Sequence, residues 1–281
     1  MIWSAGFCLP VIRDREVYMI TSLSNKTVKE IAALSQKGKE RHKKDVFVAE
    51  GIKMFQEAPL ERVCGVYVSC SAEQEILKLC GEKLAGISYE VVSDDVFAKM
   101  SDTKTPQGIL CLVKQFHYDL TFLMERGIKK QSLFVVLEDM QDPGNLGTIF
   151  RTAEAVGANG IIMSNRTVDI YNPKTIRSTM GSIYRVPFVY VDDLSAAIKV
   201  LQAEDVCVYA AHLNGHVFYE AADYRKSTAF LIGNEGNGLR KETAACADAL
   251  LKIPMEGSVE SLNAAVASSV LLYEAYRQRR V

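Results

Sequence analysis

The sequence predicts an α/β protein with an open parallel sheet in its C-terminal half and a smaller α/β domain in front of it. Two observations support this prediction. Short apolar runs alternate with amphipathic stretches along the chain, which is the pattern of strands joined by helices. In the second half the runs are apolar at every position, as in Leu133–Leu137, and this is typical of parallel strands covered on both faces.

The first domain is predicted at residues 19–115, after an extension at residues 1–18 that could be flexible. Its predicted strands are Phe47–Ala49, Val63–Val68, Tyr89–Val92 and Gly108–Val113. Its predicted helices are Val28–Leu34, Ile52–Ala58, Ala72–Cys80 and Asp94–Met100. Residues 116–131 do not continue this alternation of strands and helices, and they are predicted to be a linker.

The second domain is predicted at residues 132–281, where strands and helices alternate more strongly. Its predicted strands are Leu133–Leu137, Gly160–Met163, Val206–Ala211, Ala229–Ile232 and Leu251–Ile253. Its predicted helices are Leu146–Val156, Ser195–Leu201 and Leu262–Arg279. In a sheet of this kind, ligands bind beyond the carboxyl ends of the strands.

The composition limits the classes of function. The chain has 281 residues, 48% of them hydrophobic, and a formal net charge of -1, which favours folded domains. No apolar run is long enough to span a bilayer, and residues 1–10 lack a basic leader, so we expect no membrane partner and a cytoplasmic location. Seven scattered cysteines and four histidines form no metal-ligand spacing, so we expect neither a disulfide framework nor a metal site.

The first of three unusual segments follows the first apolar strand of the second half. The turn DPGN, which ends at Asn145, starts a helix whose free N–H groups suit a polar or anionic partner. Asn145 by itself is more often a plain helix cap. Arg151, further along this helix, fits an exposed position or an ion pair as well as it fits a functional role.

The second segment is the glycine-rich turn LIGNEGNGL. Gly233, Gly236 and Gly238 allow positive φ angles and a close approach of the backbone to a flat ligand such as adenine. The GxxGxG spacing fits neither a phosphate loop nor a dinucleotide fingerprint. Glu235 is an unusual turn residue, although it could simply be solvated.

The third segment, IPMEGSVESLN, joins a short strand to the last helix. Ser261 and Asn263 stand where that helix begins, and for Ser261 a plain N-cap role is the simpler interpretation. A Ser and an Asn without a neighbouring His or Asp form no hydrolase triad. Each of the three segments, taken alone, is a weak indication of function.

Together the three segments resemble the ordered motifs of the SpoU/TrmH ribose methyltransferases of the SPOUT superfamily. The resemblance rests on NLGTIFRTAEAVGA, LIGNEGNGL and IPMEGSVESLNAAVA, and it covers the chain from about Leu133 to the C-terminus. In the first half, FVAEG and SDTKTPQGI resemble the small RNA substrate-binding domain that is often fused ahead of this catalytic domain.

The resemblance implies S-adenosylmethionine as the cofactor, a ribose 2′-hydroxyl of RNA as the methyl acceptor, a deep trefoil knot in the C-terminal domain and a homodimer with a shared active site. Large-subunit ribosomal RNA is the favoured substrate, and transfer RNA is the alternative. The residues then expected at the cofactor are Gly233, Ile253, Leu262, Met255, Ala210 and Ala211. The residues then expected to be catalytic are Arg151, Asn145, Glu235, Ser261 and Asn263.

The family proposal makes an arginine the proton acceptor. Because a guanidinium group gives up its proton only above about pH 12, it is a reluctant general base. We therefore expect Arg151 to hold the target phosphate and to stabilise the developing alkoxide, while Asn263 and Ser261 orient the oxygen.

A dense basic run follows the first predicted helix. Most charge runs are simply solvated, but this one lies just before FVAEG, in the part of the chain that resembles an RNA-binding domain. This position favours contact with RNA phosphates. The predicted RNA-binding residues are Lys39, Arg41, Lys43 and Lys44.

Two other classes of protein are disfavoured. A non-catalytic RNA-binding or assembly protein of the same fold predicts decay of the glycine-rich turn, yet its glycines and Glu235 are all present. A dinucleotide-dependent oxidoreductase predicts an early GxGxxG and an acidic residue about twenty positions later, and the sequence has neither.

Overall fold

The computed structural model describes residues 19–127 and 131–280, and the predicted extension at residues 1–18 lies outside this range. The first sheet of the described chain has four strands: β1 (Val46–Glu50), β2 (Val63–Ser69), β3 (Glu90–Val92) and β4 (Ile109–Lys114). Their spatial order is β1-β4-β2-β3, in which β4 runs antiparallel to both of its neighbours and β2 runs parallel to β3.

Helices pack around this first sheet: α1 (Lys26–Gln36), α2 (Gly38–Lys44), α3 (Ile52–Glu57), α4 (Glu73–Leu84) and α5 (Asp94–Met100). On α1 the apolar residues Val28, Ile31 and Leu34 recur at helical spacing and are buried in one cluster with Val48 of β1. This cluster fixes α1, and the short basic helix α2 follows directly from it.

The second sheet of the described chain has seven strands: β5 (Leu133–Leu137), β6 (Gly160–Ser164), β7 (Phe188–Val191), β8 (Cys207–Ala211), β9 (Val217–Phe218), β10 (Thr228–Ile232) and β11 (Ala249–Lys252). Their order is β7-β6-β5-β10-β8-β11-β9, and every neighbouring pair is parallel. The α/β class with a parallel sheet is thereby confirmed, whereas the trefoil knot stays a prediction.

Helices cover both faces of the second sheet: α6 (Leu120–Gly127), α7 (Pro143–Ala155), α8 (Pro173–Thr179), α9 (Leu194–Ala203), α10 (Lys241–Ala244) and α11 (Ala264–Arg279). Because of this cover, β5, β6 and β10 are buried at every residue. The carboxyl ends of the parallel strands lie at one edge, so the segments that follow β5, β10 and β11 meet there.

The segment predicted as a linker, residues 116–131, contains helix α6 in its described part. Leu123 and Met124 of this helix are buried, and they belong to the same apolar cluster as Phe134 and Val136 of β5. Leu120, Leu123 and Met124 have the spacing of an amphipathic helix, so a local pattern was present in the sequence. The segment is part of the packing of the second sheet.

Arg41 connects the two halves of the molecule. Its side chain is 4% exposed, and its Nε and Nη2 donate to Oδ2 of Asp169 at 3.0 and 2.6 Å, while Nη1 donates to the carbonyl of Leu34 at 2.7 Å. The fork of guanidinium donors suits this combination of a carboxylate and a carbonyl. Arg41 is thus buried against the second half of the molecule, which sets it apart from the exposed lysines that were predicted with it to contact RNA.

We expect Arg41→Ala to lower the free energy of unfolding by about 3 kcal/mol, since it leaves the Asp169 carboxylate and a buried carbonyl without their donor. The matched control is Lys43→Ala, on the same helix but exposed, for which we expect a change within about 0.5 kcal/mol. Urea denaturation measures both. Equal stability of the two variants would contradict a structural role for Arg41.

Candidate active site

A cavity of about 730 Å³ opens at the carboxyl edge of the second sheet, on the side of β10, β8 and β11. Its walls come from the glycine-rich segment after β10, the end of β8 and the segment between β11 and α11. A cavity of this size suits a small organic ligand. The five predicted cofactor residues that line it are Ala211, Gly233, Ile253, Met255 and Leu262.

Ala210 is the predicted cofactor residue that the structure places elsewhere. It is fully buried in the apolar cluster that also holds Leu231 and residues of α9. Successive side chains of a strand point to opposite faces of the sheet, so only Ala211 faces the cavity. The side chain of Ala210 therefore does not line the cavity, in contrast to the other five predicted cofactor residues.

The glycine-rich segment forms a tight turn at the cavity wall. Backbone hydrogen bonds join Asn234 and Gly238 in both directions, at 3.1 and 2.9 Å. A Cβ atom at position 233 would collide with backbone atoms of Gly238 and Leu239, so Gly233 must be a glycine for the turn to close. At its three glycines, this wall of the cavity has no side chains, so a flat ligand can approach the backbone there.

The opposite wall is formed by residues 253–262. Within the described chain, the backbone of this segment makes no hydrogen bond. Main-chain N–H and C=O groups normally find partners when they are covered. These groups line a cavity instead, and they are available to the polar edge of a ligand.

A chain of side-chain hydrogen bonds crosses the rim of the cavity. Oδ1 of Asn263 accepts from the backbone N–H groups of Ala265 and Val266, at 2.9 and 3.3 Å, and thereby caps α11. The amide nitrogen of Asn263 therefore faces Oδ1 of Asn145, at 3.0 Å. The amide nitrogen of Asn145 in turn donates to Oε1 of Glu235, at 3.1 Å. The helix cap thus fixes the orientation of both amides.

The carboxylate of Glu235 also accepts two backbone hydrogen bonds from the segment after β5. Gln141 N–H donates to Oε2 at 3.1 Å, and Asp142 N–H donates to Oε1 at 3.0 Å. Partial burial is the largest single influence on the pKa of Glu235 and raises it, but the hydrogen bonds from Asn145, Asp142 and Gln141 together lower it below the usual value. Glu235 is thus held in its ionised form at neutral pH.

Two predicted helix caps differ from the observed ones. The N-cap of α7 is Asp142, whose side chain accepts from the N–H of Asn145 at 2.7 Å, so Asn145 is not the cap. The N-cap of α11 is Asn263 and not Ser261. Ser261 is exposed and lines the cavity, which leaves its hydroxyl available to a ligand.

Arg151 is set apart from this group. It is exposed on α7 and does not line the cavity, and in the described chain its side chain has no hydrogen-bond or ion-pair partner. The neighbouring Thr152 bonds Ser269 of α11 through their hydroxyls, at 3.0 Å. Arg151 therefore lies on the surface that α7 and α11 share.

The remaining predicted RNA-binding residues, Lys39, Lys43 and Lys44, are exposed on α2. Lys44 pairs with Glu30 at 2.7 Å, and it lines a groove of about 310 Å³ together with Lys26 and Lys29. These two lysines of α1 were not predicted to be functional. They are three residues apart in the sequence, which places them on one side of a helix.

Two features of the described residues limit the chemistry further. No cluster of three or more His, Cys, Asp or Glu side chains in residues 19–127 and 131–280 is arranged to hold a metal ion. Among the described helices, none combines the length and the apolar character needed to cross a membrane.

Comparisons with known proteins place this site in a family. The profile of the SpoU rRNA Methylase family matches residues 132–273, and that of the MRM3-like substrate binding domain matches residues 25–111. The 23S rRNA (guanosine(2553)-2'-O)-methyltransferase RlmP of Bacillus subtilis is 32% identical over 254 residues, which cover 90% of this chain and 97% of that protein.

Two solved structures agree with this. An rRNA methyltransferase from Sinorhizobium meliloti has a TM-score of 0.80 and 35% identity, and the match covers 92% of this chain and 97% of that one. The SpoU methyltransferase AviRb from Streptomyces viridochromogenes, solved in complex with AdoMet, has a TM-score of 0.81 and 27% identity over 91% of this chain and 98% of that one. This chain belongs to the SpoU rRNA methylase family.

Proposed function

We propose that this protein transfers the methyl group of S-adenosylmethionine to a ribose 2′-hydroxyl of large-subunit ribosomal RNA. The observation that carries the proposal is the 730 Å³ cavity with the Asn263–Asn145–Glu235 chain at its rim. Two similar proteins support the proposal. RlmP is named as a 23S rRNA 2′-O-methyltransferase, and AviRb is a SpoU methyltransferase that was solved with AdoMet. The cytoplasmic location expected from the sequence is part of the proposal.

The residues of the cavity fit this cofactor. The turn at Gly233 has no room for a side chain, so its backbone can lie against a flat adenine ring. The free backbone groups of residues 253–262 can bond the polar edge of the ring. Met255 and Leu262 supply apolar contact at the same wall.

When bound, the cofactor supplies an electrophilic methyl group. The protein must then align the ribose oxygen with that methyl group and stabilise the negative charge that develops on the oxygen. Asn145 has one amide hydrogen beyond the one it gives to Glu235, and this hydrogen can hold the ribose oxygen at the rim. Glu235 keeps Asn145 in that orientation, and its lowered pKa makes it a poor proton acceptor.

Arg151 completes the site only if it comes from a second copy of the chain. It lies outside its own cavity, next to Thr152, which contacts Ser269 of α11. Helix α11 also carries two exposed apolar residues, Val266 at 49% and Tyr273 at 51%. Exposed apolar residues at helical spacing are typical of an interface between subunits. We therefore include a homodimer in the proposal, paired through α7 and α11, with Arg151 reaching the partner's cavity.

The proposal predicts transfer of a tritiated methyl group from S-adenosylmethionine to unmodified total RNA of a strain that lacks this protein. Mapping of 2′-O-methyl sites should give one position in large-subunit ribosomal RNA. We expect Arg151→Ala to lower kcat by about 100-fold, since a donor to the developing charge is lost. Transfer to a transfer RNA instead would correct the substrate, and no transfer to any RNA would contradict the proposal.

Arg151→Lys serves as the matched variant in this assay. A lysine keeps the charge but cannot form the planar pair of hydrogen bonds. We expect it to rescue only a small part of the rate. A rate near that of the wild type would show that the guanidinium fork is not required.

The shared site predicts complementation between two inactive variants, Arg151→Ala and Asn145→Ala. In a mixed dimer one cavity has both defects and the other has neither. After unfolding and refolding of an equal mixture, we expect about a quarter of the wild-type rate. The control is each variant refolded alone. A mixture no more active than these controls would mean that Arg151 and Asn145 serve the same cavity from one chain.

The Asn263–Asn145–Glu235 hydrogen-bond chain predicts that a substitution at position 263 can lower the activity without lowering the stability. Asn263→Asp keeps an oxygen that can cap α11, so we expect its Tm to stay near that of the wild type. It loses the donor to Asn145, and we expect kcat to fall about tenfold. Asn263→Ala loses both functions and should also cost about 1 kcal/mol of stability. A fully active Asn263→Asp would contradict the role of this chain in orienting Asn145.

A further inference from the structure

A second cavity, of about 550 Å³, opens at the same edge of the second sheet but on the other side of the glycine-rich turn. The cofactor cavity lies over β10, β8 and β11, whereas this one lies where β5, β6 and β10 end. Its lining residues are Glu138, Asp139, Gln141, Arg166, Asn234, Asn237, Gly238 and Arg240. Of these, Asn234, Asn237 and Gly238 belong to the turn that also walls the cofactor cavity.

The second cavity is continuous with the rim that holds Asn145 and Glu235. Gln141, Asn234 and Asn237 line both the second cavity and the cleft around Asn145, Glu235 and Asn263. A polymer whose reacting ribose lies at Asn145 can therefore reach the second cavity with an adjacent group.

The acidic residues of this cavity already have partners. Glu138 is 1% exposed, and its carboxylate accepts from the N–H and Nε of Arg240, both at 2.7 Å, and from the hydroxyl of Thr243. Asp139 accepts from the hydroxyl of Ser164 at 2.8 Å. The charge of Glu138 is thus neutralised by Arg240, whereas the charge of Asp139 is balanced by Arg166, whose guanidinium lies 3.8 Å away.

The donors, in contrast, are available. Arg166 is 77% exposed, and its closest carboxylate oxygen, on Asp139, lies 3.8 Å away, which is beyond hydrogen-bond distance. Within residues 19–127 and 131–280, no hydrogen bond is formed by the side chain of Arg166 or that of Asn237. A cavity with a guanidinium and an amide whose N–H groups form no hydrogen bond to the described chain suits a ligand rich in acceptors.

The backbone around Arg166 is fixed. The side-chain amide of Gln141 donates to the carbonyls of Arg166 and Asp139, at 2.6 and 3.0 Å, and that of Asn234 donates to the Asp139 carbonyl at 2.8 Å. Asp139 also has a φ of 52°, in the left-handed region that residues other than glycine rarely adopt. Binding would therefore order little more than the Arg166 side chain, which keeps the entropic cost low.

We propose that this second cavity binds a phosphodiester group of the substrate RNA next to the nucleotide that is methylated, with Arg166 as its main contact. The inference rests on the proposed function. A phosphate presents the acceptor geometry that a guanidinium fork matches, and contacts of this kind fix the register of a nucleic acid without reading its sequence. The second cavity thus positions the target ribose at Asn145.

The test compares Arg166→Ala with Arg225→Ala in binding to an unmodified large-subunit ribosomal RNA transcript at several salt concentrations. Arg225 is the matched control because it is 69% exposed, also faces an aspartate, and lies before β10 at the opposite edge of the sheet. We expect Arg166→Ala to weaken RNA binding about tenfold. It should also make the slope of log binding constant against log salt concentration less steep by about one. Arg225→Ala should match the wild type.

Further measurements distinguish a role of Arg166 in RNA binding from a role in the stability of the fold. The KM for S-adenosylmethionine and the Tm of Arg166→Ala should stay at wild-type values, since the side chain makes no hydrogen bond to the described chain. Arg166→Lys should recover part of the affinity, because it keeps the charge. If Arg166→Ala binds RNA as tightly as the wild type at every salt concentration, the inference is overturned. The proposed function still stands in that case, provided that the wild type methylates the transcript. A wild type that neither binds nor methylates the transcript overturns both.

Discussion

Three separate segments of the chain are held together by the hydrogen bonds that converge on Glu235. Its carboxylate belongs to the turn after β10, and it accepts from the backbone after β5 and from Asn145 at the start of α7. Asn145 in turn accepts from Asn263, which caps α11. Hydrogen bonds to a charged group are stronger than those between neutral groups, so Glu235 firmly joins the segments that follow β5 and β10. The bond between the Asn263 and Asn145 amides then links the start of α11 to them.

The same bonds decide what Glu235 does. Partial burial alone would raise its pKa, but the donors reverse the shift. A carboxylate with a lowered pKa contributes stability that is present above the ordinary glutamate pKa and is lost as the pH falls through the lowered one. Near neutral pH, Glu235 therefore acts as a fixed acceptor that orients Asn145. The helix cap at Asn263 sets the direction of the hydrogen-bond chain from its other end, so the Asn145 amide has only one orientation.

Local patterns predicted the parallel sheet and the segments that form the cavity, because strand ends, glycine turns and helix starts are encoded by neighbouring residues. Where the structure places a residue differently from the prediction, the cause lies in longer distances or in finer geometry. The side chain of Arg41 is buried where it pairs with Asp169, which is 128 residues away in the sequence. Ala210 differs from Ala211 only in the face of β8 to which it points. Helix α6 is short, at eight residues, and its apolar pattern was present in a segment predicted to be a linker. Nothing near Arg151 in the sequence indicates that it lies outside its own cavity.

The strand order explains why the glycine-rich turn after β10 lines two cavities. Because β10 stands between β5 and β8, the turn that follows it divides the edge of the sheet into two cavities. One side presents bare backbone at Gly233, against which a flat group can lie, and the other presents Arg166 and the amide of Asn237. Asn145 lies at the rim where the two sides meet. In the proposed arrangement, a methyl donor and a polyanion approach the same point from opposite sides of the turn, and the different chemistry of the two walls favours one ligand in each cavity.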